Sequence, residues 1–281
     1  ASGTHTRPVV PRLPGSETFR GVQLHSSQYR SAEDFRGARV AVVGAGNSGA
    51  QILAEVSYPG VAASALWSTR EVPNFLPVGL SGKEIFDTVA RQRQKQGFVR
   101  PEDIPSISRI IMQRGVMEAA ERGVYDQRVP DFTRLTPTGV AWDACPHGGK
   151  QAGEADVDVI IWCTGYDNST SHLSRLGIVR EDSTVAMDGR DVGGSDMPGI
   201  FAVGYGNWAG VGSASVPGST VYAKRAATAA VQHIRGGNSF DSSKVAVEAA
   251  MTGQLSGQMS GQNAPASRAW PTSRRASGAA A

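Results

Sequence analysis

The feature that most limits what this chain can fold into is the stretch Arg39 to Val56, "RVAVVGAGNSGAQILAEV". An apolar run short enough for a strand meets a GxGxxG turn at Gly44, Gly46 and Gly49. Apolar residues then recur at Ile52, Leu53 and Val56 on one face of a helix. A bare GxGxxG is weak evidence, but placed between a strand and a helix it has a physical purpose. The first glycine allows the tight turn, the second lets backbone approach a pyrophosphate, and the third lets helix pack on strand. Unpaired N–H groups and the positive end of the helix dipole then favour phosphate, with Asn47 and Ser48 as further donors. The bland alternative is an ordinary glycine-rich β–α turn without a ligand.

The pattern predicts a strand at Arg39–Val43, a glycine turn over Gly44–Gly49, a helix over Ala50–Val56 and a second strand at Ala63–Trp67. That second strand runs into Ser68, Thr69 and Arg70. An NAD site wants a carboxylate at this tip to accept from the ribose 2′-hydroxyl, whereas a guanidinium can pair with a 2′-phosphate. Arg70 therefore favours NADPH, with Glu71 beside it as the counter-argument.

Elsewhere the reading is coarser. Residues 1–37 are rich in turns and read as an extended connector. Residues 83–123 read as helix in pieces broken by Gly97, Pro101 and Pro105, with Ile110, Ile111, Val116 and Met117 on apolar faces, and are expected to cover the active site. Residues 132–143 suggest a hairpin, Val157–Trp162 and Ile200–Val203 buried strands, and Ser213–Arg235 a helix with an uncertain first turn at Pro217 and Gly218. From about residue 252 the chain is too poor in apolar residues to fold.

Composition excludes more than it assigns. A net charge of +3 without a basic stripe argues against nucleic acid. No run is long enough to cross a membrane as a helix. The two cysteines, Cys145 and Cys163, lie outside any CxxC or metal pattern, which points to a reducing, cytoplasmic setting and an inert, buried Cys163. The sequence holds no metal cluster, nucleophilic triad or paired-carboxylate site, so no catalytic side chain is named.

Further motifs resemble one family. "FRGVQLHSSQY", with Phe19, Gly21, His25 and Tyr29, matches FxGxxxHxxxY, the signature of flavin-containing monooxygenases. Tyr29 at its end argues against the related Baeyer–Villiger enzymes. "ASGT" at residues 1–4 and "CTGY" at Cys163–Tyr166 resemble the family's two domain-crossing elements, and "MPGIFAVGYGNW" resembles the segment that passes under the flavin. "NFLP", "RLTPTGVAW", "VIIWCTGY" and "GYGNWAGVGSAS" are similar to short bacterial flavoprotein monooxygenases found beside arsenic-resistance genes.

The resemblance implies an α/β chain in which a Rossmann-type NAD(P)-binding domain is inserted in an incomplete FAD/NAD(P)-binding domain of the two-dinucleotide-binding flavoprotein type. It implies a connector from the FAD domain at 1–37, an NADPH-binding domain at 38–160, the C-terminal part of the FAD domain at 161–237 and a largely disordered tail at 238–281. Thr164, Gly165, Tyr166 and Gly204 are then expected to join Gly44, Gly46, Asn47, Ser48, Gly49, Ser68, Thr69 and Arg70 in holding cofactors. NADPH would reduce FAD, and a peroxyflavin would pass oxygen from O2 to a soft nucleophile such as nitrogen or sulfur in a small-molecule substrate.

The family's first glycine fingerprint, which anchors FAD, is absent from these residues. A fragment or truncated, FAD-free NADPH-binding protein is therefore the rival reading, and its exposed sheet edge would make it poorly stable alone. Another pyridine-nucleotide flavoprotein oxidoreductase is a second rival, although a disulfide reductase would want a redox cysteine pair. His25 tempts an acid–base role; the preferred reading is a connector residue hydrogen-bonded to backbone. Tyr205 and Trp208 are candidates for shaping a substrate pocket. Self-association is left open.

Overall fold

In the computed structural model, the described residues are 5–79, 109–144, 151–187, 193–194, 197–210, 213–214 and 216–235. The chain divides into two compact units, Ala1–Phe240 and Asp241–Ala281, and all described residues belong to the first. The "ASGT" element, Cys145, most of the 83–123 stretch and the 238–281 tail lie outside them.

The central layer is a four-stranded parallel sheet. Its strands are β1 (Val22–His25), β2 (Arg39–Val43), β3 (Ser64–Ser68) and β7 (Val159–Trp162), in the order β1-β7-β2-β3. Helix α1 (Asn47–Val56) makes the crossover from β2 to β3. β2 and β7 are nearly continuous apolar runs because they are covered on both faces. Val40, Val42 and Ile161 turn toward α1 and α2 (Arg114–Glu121), where Ile52, Leu53, Trp67, Ile110 and Val116 complete one core. Ala41, Val43, Ile160 and Trp162 turn the other way, onto Phe19, Phe132, Leu135 and Val140. That second cover is an antiparallel sheet of β4 (Phe132–Thr136), β5 (Gly139–Trp142) and β6 (Gly153–Asp156). Helix α3 (Val216–Ile234) follows the last described turns.

The expected hairpin at 132–143 is β4–β5. The strand β6 is an addition to the expected elements: "GEAD" alternates only weakly and is a strand because β5 pairs with it. The strand expected at Val157–Trp162 begins at Val159. Val157 N–H instead donates to the Thr138 carbonyl, and the Asp158 carboxylate grips Arg39. The expected second strand is displaced by one residue, to Ser64–Ser68. The connector 1–37 contains a strand, β1, paired with β7 from Val22↔Val159 to His25↔Trp162.

Helix α1 begins at Asn47 rather than Ala50, so half of the expected glycine turn is already helix. Ile110 is not helical. It forms a parallel bridge with Phe75, which leaves α2 as the described helical part of 83–123. The strand expected at Ile200–Val203 is reduced to an isolated bridge, Gly193↔Phe201. Helix α3 starts three residues later than expected, and Pro217 is accommodated in its first turn, where a missing N–H costs nothing.

Candidate functional site

The parallel sheet brings the carboxyl ends of β1, β7 and β2 together, and the chain motifs lie there. This is where open α/β sheets bind ligands. Gly44 leaves β2 with φ 128°, a conformation natural to glycine. A Cβ on it would stand 2.3 Å from the Cys163 carbonyl oxygen, so the glycine turn and the "CTGY" element are pressed together. A Cβ on Gly49 would meet the Gly44 carbonyl oxygen at 2.3 Å, which is why α1 can start so close to the turn. Gly46 differs: a Cβ there meets nothing within 4 Å. The space beside it is open.

Gly46 is the N-cap of α1 and supplies no side-chain cap. The first intrahelical bond runs from Ala50 N–H to the Gly46 carbonyl, leaving the N–H groups of Asn47, Ser48 and Gly49 without a helical acceptor. The Asn47 side chain, expected to meet phosphate, is committed elsewhere. Its Nδ2 donates to the Arg109 carbonyl at 3.0 Å, and its Oδ1 accepts from Ile111 N–H at 2.8 Å. Ser48 is exposed.

At the tip of β3 the expected residues separate. Ser68 and Thr69 are fully buried. Ser68 Oγ donates to the Pro130 carbonyl at 2.9 Å and Thr69 Oγ1 to the Glu71 carbonyl at 2.8 Å, so both hydroxyls serve the protein. Arg70 is 85% exposed, with Asp131 3.7 Å from its Nε. Burial raises the Asp131 carboxyl pKa above its usual value, and Arg70 acts against that shift. Arg128 donates to Thr69 Oγ1 at 3.3 Å. Sequence reasoning missed Asp131 and Arg128, which lie some sixty residues downstream and arrive only because Val129 bridges to Ser68.

Of the FxGxxxHxxxY residues, Phe19 and His25 are buried and Gly21 and Tyr29 partly so. Phe19 is buried against Gly21, where a Cβ would meet its ring at 2.4 Å and the Asp158 carbonyl oxygen at the same distance. His25 is 1% exposed. Its Nδ1 accepts from Ser27 N–H at 3.2 Å, so the proton sits on Nε2, which donates to the Gly165 carbonyl at 2.9 Å. Burial lowers the imidazole pKa and keeps the ring neutral. Its ring lies 4.9 Å from that of Tyr166, edge-on. Tyr29 stacks on Phe35 and donates to Glu55 of α1 at 2.7 Å. The backbone reading of His25 therefore holds.

The "CTGY" turn is held from the same side: Val9 N–H donates to the Gly165 carbonyl at 3.0 Å, and Thr164 Oγ1 to the Val9 carbonyl. A Cβ at Gly165, Gly204 or Gly206 would meet nothing within 4 Å, so these turns also border open space. Burial pushes the Cys163 thiol up to about 12, which leaves it unreactive at neutral pH. Tyr205 and Trp208, with rings 5.4 Å apart, line a cavity of about 370 Å³ together with Thr170, Met187 and Phe201. Trp208 Nε1 donates to Asn168 at 3.1 Å.

Residues 1–129 match the family described as Flavin-binding monooxygenase-like. A flavin-containing monooxygenase from Stenotrophomonas maltophilia superposes with a TM-score of 0.68 and 35% identity, covering 83% of this chain and 62% of that one. Indole-3-pyruvate monooxygenase YUCCA8 of Oryza sativa subsp. indica is 44% identical over 86 residues, 31% of this chain and 20% of its own length. Dimethylaniline monooxygenase (N-oxide-forming) 2 of Mus musculus is 28% identical over 218 residues, 66% of this chain and 38% of its own. The chain thus spans a fifth to two fifths of these curated relatives.

Proposed function

We propose that this chain belongs to the flavin-containing monooxygenase family and carries the NADPH site and part of the flavin cradle of an NADPH-dependent flavoprotein monooxygenase. The observation that carries the reading is the juxtaposition of two open glycine turns at the carboxyl ends of β2 and β7. Gly46 leaves room for a phosphate, and Gly165 also borders open space.

The residues present fit a dinucleotide. The N–H groups of Asn47, Ser48 and Gly49 would bind its pyrophosphate, and Arg70 would take the 2′-phosphate by exchanging the weak Asp131 contact for a stronger charge-assisted pair. Ser68 and Thr69 shape the tip without touching the ligand. A flavin would lie against the Gly165 and Gly204 turns. Bound together, the two cofactors supply hydride and oxygen activation, and the substrate is a small molecule with a soft nucleophilic centre. The chain's own part is position. His25 fixes the Gly165 carbonyl and moves no proton, because both its ring nitrogens are occupied. Cys163 stays protonated and outside the redox chemistry.

The motif likeness supports reading the chain as one of the short bacterial enzymes found beside arsenic-resistance genes, and the two isolated cysteines support a reducing, cytoplasmic setting. Among the described residues no helix is long and apolar enough to cross a membrane. The test is the visible spectrum of the full chain with added FAD during an NADPH titration. Flavin absorbance that bleaches supports the monooxygenase reading. Dinucleotide binding with flavin left oxidised supports the rival, an FAD-free NADPH-binding protein.

A further inference from the structure

At the end of β3 the fold assembles two opposite charges that lie far apart in the sequence. Val129 N–H donates to the Trp67 carbonyl at 2.7 Å, Thr69 N–H to the Val129 carbonyl at 3.0 Å, and Ser68 Oγ to the Pro130 carbonyl at 2.9 Å. Val129 and Pro130 therefore run alongside the last residues of β3, and the buried Phe132 opens β4 directly afterwards. Asp131 is held between them, with Oδ2 3.7 Å from Arg70 Nε. That contact is long and single. A satisfied aspartate in this protein looks different. Asp158 accepts from Arg39 Nη2 at 2.7 Å, Nε at 3.1 Å and the Arg39 backbone N–H at 2.8 Å, and its carboxyl is held down to about 2. Asp131 accepts no hydrogen bond among the described residues, and burial raises its carboxyl pKa in spite of Arg70. Its side chain is half exposed, so its oxygens keep acceptor capacity for a ligand.

A dinucleotide fold reads its coenzyme at this place. A carboxylate at the end of the second strand accepts from the ribose 2′-hydroxyl of NADH, and a guanidinium pairs with the 2′-phosphate of NADPH. Here the guanidinium follows β3 and a carboxylate arrives from the start of β4. Glu71, the carboxylate next to Arg70 in the sequence, serves the tip through its backbone: its carbonyl accepts from Thr69 Oγ1. We propose that Asp131 is a second coenzyme-selecting residue, accepting from the ribose 2′-hydroxyl of NADH, so that the chain takes NADH through Asp131 and NADPH through Arg70. This rests on the dinucleotide reading above and extends it, because that reading uses Arg70 alone. The two coenzymes place opposite demands on Asp131. Its carboxylate attracts a hydroxyl and repels a phosphate, so the same side chain favours NADH and disfavours NADPH.

The test is calorimetric titration of the full chain with NADH and with NADPH, for the parent sequence and for Asp131→Asn, Arg70→Gln and Glu71→Gln. The parent is expected to bind both coenzymes with affinities within about tenfold of each other. Asp131→Asn should move them in opposite directions. NADH weakens by about 3- to 10-fold as a charge-assisted hydrogen bond is lost, and NADPH tightens by about 2- to 5-fold as a screened repulsion is removed. Arg70→Gln should weaken NADPH alone, and Glu71→Gln should leave both within about twofold. A merely structural role would move both coenzymes the same way, so parallel losses in Asp131→Asn, or no change in either, overturn the assignment. A parent that binds NADH more than about tenfold less tightly than NADPH also overturns it and leaves the NADPH reading standing. Opposite shifts in Glu71→Gln instead of Asp131→Asn overturn it in favour of Glu71. Failure of the parent to bind either coenzyme overturns both readings. Should Asp131→Asn fold poorly, Asp131→Ser takes its place under the same criteria.

Discussion

The glycine turn after β2 and the FxGxxxHxxxY segment around β1 end at the same edge of the sheet, yet they are built on opposite principles. In the first, Gly46 faces open space and successive N–H groups have no helical acceptor. In the second, every signature side chain is consumed by the protein: Phe19 against Gly21, His25 on the Gly165 carbonyl, Tyr29 on Glu55. A motif can mark a ligand or a joint, and the difference lies in whether its polar groups are already satisfied. Here the joint holds the turn beside the site, so the two motifs act together without sharing a role.

That contrast can be broken experimentally. The largest effect is expected at the joint. His25→Ala removes a buried ring and leaves the Gly165 carbonyl with Val9 N–H as its remaining donor, a loss of about 3 kcal/mol in denaturant unfolding. A selective fall in dinucleotide affinity at unchanged stability would instead make His25 a ligand. Gly49→Ala comes next, with about 1–3 kcal/mol lost to overpacking against the Gly44 carbonyl. Gly46→Ala should invert the pattern: stability within about 1 kcal/mol, but dinucleotide affinity down about tenfold or more by titration. Equal stability losses for the two glycine variants would mean that Gly46 is structural as well.

Smaller effects sharpen the same contrast. Tyr29→Phe should cost about 1 kcal/mol of stability through the lost Glu55 bond and leave dinucleotide binding unaltered. The pH profile follows His25. Because its pKa is lowered in the folded chain, its contribution is complete above the ordinary value of 6.5. It falls as pH drops below that value, until the folded-state pKa is passed. A thermal unfolding midpoint in the His25→Ala chain that tracks the parent's between pH 7 and pH 5 would remove His25 as the cause. Asp158→Asn belongs at the bottom of the scale. Its carboxyl, held down to about 2 by Arg39, is half exposed, and its loss should cost under about 1 kcal/mol. That contribution is full above the ordinary carboxyl range and disappears only as pH falls through about 2.

The sequence by itself determined the β2–α1–β3 unit and the hairpin β4–β5, because apolar period, glycine spacing and turn residues are local properties. It also placed His25 correctly as a backbone-bound residue. It could not show β6, a weakly patterned strand that exists through pairing with β5. Nor could it show that β1 rises out of a turn-rich connector to lie beside β7. The site divided in the same way. The roles of Gly44 and Gly49 follow from backbone geometry that the motif encodes. Tertiary structure alone turned Ser68 and the Asn47 side chain inward, and brought Arg128 and Asp131 to the tip of β3. The physical reason is that a polar side chain's role depends on which partners reach it first. Those partners lie some sixty residues away along the chain, a separation that no local pattern records.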